Sequence, residues 1–376
     1  MKGRWAIMFW TTRVILRSPR LRLSPRAHLA IALGLLLLAT SLGWSQDHDY
    51  FVLGIHPAGL LVIDTSRDEI VAQIPTKGRS PKEIIPSPDG KHVFLTTDGR
   101  AKIEVVNVPD RKVEDVIDLA QPGVKINIFG LAVSRKGDRL FAHIRPVKQL
   151  PDEYVALPPE IWSVDLNTHA KKKIMDAPDG VVSLFVPADP NRLIAWGRNV
   201  YFIDLAQRRV VETVPLQTGL LPDQSPMDTL PFFSQYEQSG IVSMPYFATN
   251  PFTHNLVLGL VNMDVDTGKL DFMELGPPIP LYSSVVSPDR KRAYLVMNQL
   301  VVVDLTQRKI AEVRDTEGTT YVVNLTRDGK KVYLPSSAGP FVNVYDAQSL
   351  KRIHSIELPG DPSSSQLRAL PPGAVP

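Results

Sequence analysis

The sequence predicts an all-β fold, a seven-bladed β-propeller with four-stranded antiparallel blades. Three observations carry this expectation. One short pattern recurs seven times, a second recurs between its copies, and the two chain ends hold complementary parts of one incomplete repeat. Internal repeats with a period of roughly 20–50 residues mark solenoids, propellers or arrays.

The first pattern is an apolar strand ending in Asp or Asn, a few polar residues, then a second β-rich strand. It reads LVIDTSRDEI at Asp64, VVNVPDRKV at Asn107, WSVDLNTHAKKKI at Asp165 and FIDLAQRRV at Asp204. It returns as NMDVDTGKL at Asp264, VVDLTQRKI at Asp304 and VYDAQSLKRI at Asp346, with copies about 47 residues apart on average. The second pattern is a strand, a polar turn and another strand: IIPSPDGKHVFL, LAVSRKGDRLFA, VVSPDRKRAYLV and VNLTRDGKKVYL. Weakened copies fall at residues 187–192 and 237–240. Ser-Pro-Asp-Gly is good turn chemistry, because Pro presets φ, Asp bonds nearby backbone and Gly tolerates φ > 0.

Joined, the two patterns give strands a to d. Strand a runs into the polar turn, b leaves it, c ends at the Asp, and d follows. Four strands in roughly 40–50 residues make a propeller blade. The chain enters blade one at strands b, c and d (50–55, 60–63 and 69–74) and finishes with an orphan strand at 364–370. That last strand supplies the missing a, so the N-terminal and C-terminal strands together close blade one. Tryptophan-aspartate repeats fit poorly, since neither Trp162 nor Trp196 precedes an Asp.

Domain organisation follows: residues 1–45 as signal peptide or N-terminal anchor, 46–371 as propeller, 372–376 as C-terminal tail. The formal charge of +3 is uneven, because residues 1–46 hold seven Lys/Arg and no acid. The remainder is mildly acidic, which removes the electrostatic case for nucleic-acid binding. A basic stretch, the apolar run LAIALGLLLL and then small and polar residues follow the order of a secretory leader. The expected location is the periplasm. The 33 prolines suit a turn-rich chain, and the absence of cysteine excludes disulfides, thiolate metal sites and cysteine-derived cofactors in this chain.

Antiparallel alternation puts the a–b and c–d turns on one face and the b–c and d–a connections on the other. The insertions at 145–159, 216–228 and 249–255 are expected on the second face, with tight turns on the first. Binding concentrates on such loops. They gather Tyr154, Val155, Leu157, Leu220, Leu221 and Phe252, which suit a protein interface. Asp152, Glu153, Asp223 and Asp228 add acid that would steer a basic partner or an ammonium group, and His254 lies beside them. The expected partner-binding residues are therefore Asp152, Glu153, Tyr154, Asp223, Asp228, Phe252 and His254. No catalytic, cofactor-binding or metal-ligating set is expected: zinc spacings, a Gly-rich phosphate loop and a GxSxG elbow are all missing. His143, on a strand, reads as a packed histidine.

With these residues in hand, the segment 49–370 resembles the β subunit of quinohemoprotein amine dehydrogenase. The likeness starts with DYFVLGIHPAGLLVIDT and runs through EIWSVDLNTHAKKKIMDAP and RLIAWGRNVYFIDL. Its most particular stretch is EQSGIVSMPYFA followed by LVNMDVDTGKL, an irregular fifth blade; SVVSPDRKRAYLVMNQLVVVDL and a late LPG also fit. The Ser-Pro-Asp-Gly turns are shared by many YVTN-type propellers. The resemblance implies a non-catalytic subunit of a periplasmic complex oxidising primary amines to aldehydes. It implies a small partner chain carrying cysteine tryptophylquinone and a dihaem cytochrome chain carrying haem c, with no cofactor in this chain and the amine bound at the interface. Methylamine-dehydrogenase heavy chains play a similar part. Two alternatives stay open: a stand-alone YVTN-type interaction scaffold, and a lactonase-type hydrolase.

Overall fold

The computed structural model describes residues 49–216, 225–229, 231–363 and 365–374. The leader reading at 1–45 lies outside them, as do Leu220, Leu221 and Asp223. Among the described residues the strands form seven antiparallel sheets arranged as the blades of a ring. Blade one pairs Leu367–Ala369, Tyr50–Gly54, Leu60–Asp64 and Glu69–Ile74 in that order. The closing strand is shorter than the 364–370 expected from sequence. It lies against strand b, with Phe51 opposite Ala369 and Leu53 opposite Leu367.

Each blade buries both faces, and the apolar residues separate accordingly. Seven hydrophobic clusters form, one at each junction between neighbouring blades. Phe51 and Leu53 face blade seven, while Val52 faces blade two. This is strand alternation used twice, and it explains why strands b and c are apolar at successive positions rather than at every second one. The core is thus a circle of inter-blade contacts around a polar axis.

The recurring Asp or Asn at the end of strand c builds the c–d turn. Its Oδ1 accepts from a backbone N–H two or three residues on: Ser66 at 2.8 Å from Asp64, Asp110 at 2.8 Å from Asn107, Gln207 at 2.7 Å from Asp204, Ser349 at 2.7 Å from Asp346. The polar a–b turns form as expected. Gly90 N donates to Ser87 O at 2.9 Å, and the Ser87 hydroxyl reaches Asp89 at 2.6 Å. In all seven blades strand d then carries one β-bulge against strand c.

Two expectations need correction. Residues 145–159 are not a loop: strand b of blade three runs on to Gln149, and Tyr154–Ala156 folds back on it as a hairpin. The extension pairs on both sides, with strand a through residues 124–127 and with Tyr154–Ala156. Nor do all insertions lie on one face: a turn forms at 237–240, with Gly240 N donating to Tyr236 O at 2.7 Å, but the a–b connection of blade five that leads to it is long. Its first strand is only Asp228–Thr229, and residues 231–240 leave the sheet and enter the ring's axis.

Candidate functional site

The axis is filled by this segment of blade five. Pro231 O accepts from the Ser183 hydroxyl of blade four, and Phe232 O accepts from the Gln366 amide beside the closing strand. Phe233 packs on Tyr282 of blade six at 5.6 Å between centroids, and Glu237 pairs with Arg368 of blade one. Gln238 donates to Leu325 O of blade seven at 3.0 Å. Ser234 and Gln235 are buried. A segment that donates to and accepts from so many blades divides the axis into two mouths.

The mouth on the tight-turn face encloses ≈ 380 Å³, lined by Tyr236, Glu237, Arg135, Arg327 and Arg368 among others. Its cations are matched: Arg135 pairs with Asp266, Arg327 with Asp49 at 2.8 Å, and Arg368 with Glu237. Arg368 also sits 5.3 Å from the Tyr236 ring centroid.

The opposite mouth, on the b–c and d–a face, is aromatic and basic. Phe129 meets Phe232 at 6.2 Å, and Tyr282 meets Tyr321 at 4.7 Å. The guanidinium carbons of Arg100 and Arg145 lie 4.6 and 4.1 Å from the Phe129 centroid, within cation–π range. Arg100 holds φ at 72°, a left-handed conformation that non-glycine residues adopt at a cost and that concentrates at binding sites. Burial, with Arg100 and Arg198 nearby, makes the Arg145 guanidinium less basic than usual. The balancing acid is Glu83, which accepts from Leu131 N at 2.7 Å, Gly130 N at 3.0 Å and Arg100 at 3.5 Å. Burial raises the Glu83 pKa, and Arg100 and those two N–H groups oppose the rise. Glu83 thereby ties blade two to blade three under the mouth.

His143 is packed, as its strand position suggested. It is wholly buried, its Nδ1 bonds Phe129 O at 2.9 Å, and Nε2 has no partner. Burial and the Arg145 charge push its pKa down to about 4, so the ring is neutral at physiological pH.

The residues expected at the partner face lie on separate hairpins. Asp152, Glu153 and Tyr154 form the tip of the blade-three hairpin, closed by Leu150 N donating to Glu153 O at 2.9 Å. Tyr154 is 64% exposed, with the Lys125 ammonium 5.5 Å from its ring. Phe252 and His254 occupy the b–c turn of blade five, held by Asn250, whose side chain accepts from Phe252 N at 2.9 Å. Phe252 is 85% exposed and neighbouring Leu256 50%. Asp228 is exposed in the short first strand of blade five, and Asp223 lies outside the described residues. Blade four separates the two hairpins. Sequence reasoning named the rim and missed the mouth itself: strand pairing in blade three brings Phe129 to Arg145, Arg100 comes from blade two, and the axial course of residues 231–240 adds Phe232.

No protein-family model matches the chain, and no curated protein matches it. Solved structures are similar in fold. Hydrazine synthase from Kuenenia stuttgartiensis aligns with a TM-score of 0.54 at 14% identity, covering 81% of this chain and 90% of that one. Dihydro-heme d1 dehydrogenase NirN aligns with a TM-score of 0.52 at 17% identity, covering 84% and 74%. A functionally unknown protein from Desulfotomaculum acetoxidans gives 0.58 at 12% identity, covering 86% and 99%. At these identities the likeness is one of propeller architecture.

Proposed function

We propose that this chain is the partner-binding propeller subunit of a periplasmic amine-oxidising complex of the quinohemoprotein amine dehydrogenase type. In this reading a quinone-bearing chain and a dihaem cytochrome chain dock on its b–c and d–a face. The observation that carries it is Phe252, 85% exposed on a turn whose backbone is fixed by Asn250. A large aromatic held in water on an ordered turn suits an interface anchor. Tyr154 on the blade-three hairpin is the second anchor. The charge at the axial mouth refines the reading. Acid sits on the rim, at Asp152 and Glu153, while Arg100 and Arg145 stand at the mouth. Arginines there disfavour an ammonium group, so the amine belongs to a site built mainly by the quinone-bearing chain, with this propeller forming a wall.

The test is co-purification from the native host of tagged wild type and Tyr154→Ala/Phe252→Ala protein. Wild type should bring down a quinone-bearing and a haem-bearing chain, and the double variant should lose them with Tm nearly unchanged. The chain alone should show no quinone or haem absorbance and no amine oxidation. Amine turnover by the isolated chain overturns the subunit reading, and retention of the partners by the double variant moves the interface elsewhere. Capture of other proteins without quinone or haem leaves the scaffold reading in its place.

A further inference from the structure

The seven c–d bulges permit an internal comparison. In six blades the extra residue on strand d is apolar: Val71, Ile174, Val211, Leu275, Ala311 and Ile353. In blade two it is Glu114, followed by Asp115. Regular alternation would send these side chains to opposite faces. A bulge breaks the alternation, and both carboxylates line the cleft between blades two and three.

That cleft encloses ≈ 790 Å³, against ≈ 360 Å³ for the cleft between blades four and five. Its apolar walls are Phe94, Val105 and Ile117 of blade two and Val164 and Leu166 of blade three. Each carboxylate is oriented by an imidazole. His92 Nε2 lies 3.0 Å from Glu114, and His169 Nδ1 reaches from blade three to Asp115 at 3.0 Å. Asp89 is a third carboxylate on the lip, held by the Ser87 hydroxyl at 2.6 Å and Lys91 N at 3.1 Å. The cations on the lip are Arg135 and Lys136, and the Arg135 guanidinium is turned to Asp266 and to Pro187 O. Of the nearby ammonium groups, Lys91 stands by Asp89, and Lys112, near Glu114, is paired with Asp110 at 3.0 Å.

We infer that this cleft binds a small organic cation, an amidinium, guanidinium or ammonium head on an apolar body. The head is held by Glu114 and Asp115, and the body lies against the apolar wall of Phe94, Val105 and Leu166. The volume falls within the roughly 300–1,000 Å³ of small-molecule sites, which pair apolar walls with a few convergent polar groups. The two oxygens of a carboxylate match the fork of a planar cation, and a second carboxylate beside it adds charge. A bare metal ion would leave the apolar wall unused, and no group of three or more His, Asp or Glu among the described residues is placed to hold one.

The probe is benzamidinium, titrated calorimetrically into the full chain, with benzoate as the isosteric anion. Benzamidinium should bind saturably at one site, at least tenfold more tightly than benzoate. Glu114→Gln/Asp115→Asn should weaken it at least tenfold, and Glu212→Gln, in the cleft between blades four and five, should not. Absence of saturable binding, equal binding of benzoate, or an equal loss in the Glu212 variant overturns the inference. Methyl NMR of the unmutated protein reads the site independently of any variant. Shifts at Val105, Ile117, Val164 and Leu166 support the cleft, and shifts only elsewhere refute it. None of these measurements depends on the partner-binding face, so the two proposals fail separately.

Discussion

Seven residues, each four after the turn Asp or Asn, hold the left-handed backbone conformation that closes the c–d turns: Asp68, Arg111, His169, Arg208, Gly268, Arg308 and Leu350. Only blade five uses the residue type for which that conformation is free of strain. Replacing exposed Arg208, at φ 55°, with Gly should raise stability by about 0.5–1 kcal/mol, read from the urea midpoint. Gly268→Ala should lower it by about 2 kcal/mol or more, because a Cβ there would lie 2.4 Å from Phe202 as well as being strained at φ 72°. His143 sets a pH dependence. Its pKa is lowered in the fold from 6.5 to about 4, so the unfolded chain binds the extra proton between those values. Stability therefore falls as pH drops through that window, by about 3 kcal/mol in all. His143→Phe should flatten this part of the acid limb, measured by denaturation at pH 7 and pH 4.5. That His143 packs within the fold was readable from its place on a strand; its low pKa was not, since it comes first from the burial that the assembled blades impose and then from the Arg145 charge.

The closing strand is the element on which the ring depends. Beyond its pairing with Tyr50–Gly54, it receives the Asn324 amide on Leu367 O at 3.0 Å and the Arg327 guanidinium on Leu370 O at 3.2 Å. Truncation after Leu358 should abolish cooperative unfolding, because blade one loses its inner strand and Glu237 loses Arg368. Circular dichroism melting checks this. Most elements were legible because their turns write themselves in side chains: Asp346 bonds Ser349 N and Oγ, and Ser-Pro-Asp-Gly does the same for the a–b turns. Residues 231–240 were not. Beyond a local turn at residues 236–240, their partners lie on blades one, three, four, six and seven, and no local pattern encodes such distant contacts. The bulges were equally hidden, since one extra residue in a strand changes register without changing composition. For that reason nothing in the sequence marked Glu114 and Asp115 as lining one cleft.

For the molecule as a whole, the apolar clusters between blades make stability additive around a circle, while the axial segment links blades that do not touch. Phe233→Ala should therefore cost about 3–5 kcal/mol and lower the single unfolding transition as a unit, since Phe233 joins the cluster between blades seven and one while contacting Tyr282 of blade six. Calorimetry distinguishes this from the loss of one blade, which would split the transition. The bulges carry a consequence for the molecule in crowded solution. A propeller presents seven unpaired strands d to its surroundings, each a template on which another chain could add a strand. The extra residue in every one of them interrupts the flat hydrogen-bonding row such addition requires, and exposed lysines such as Lys171, Lys172 and Lys173 oppose it by charge. Deleting Val211 to straighten the outer strand of blade four should leave the blade folded yet make concentrated protein form β-rich aggregates, seen by light scattering and thioflavin fluorescence.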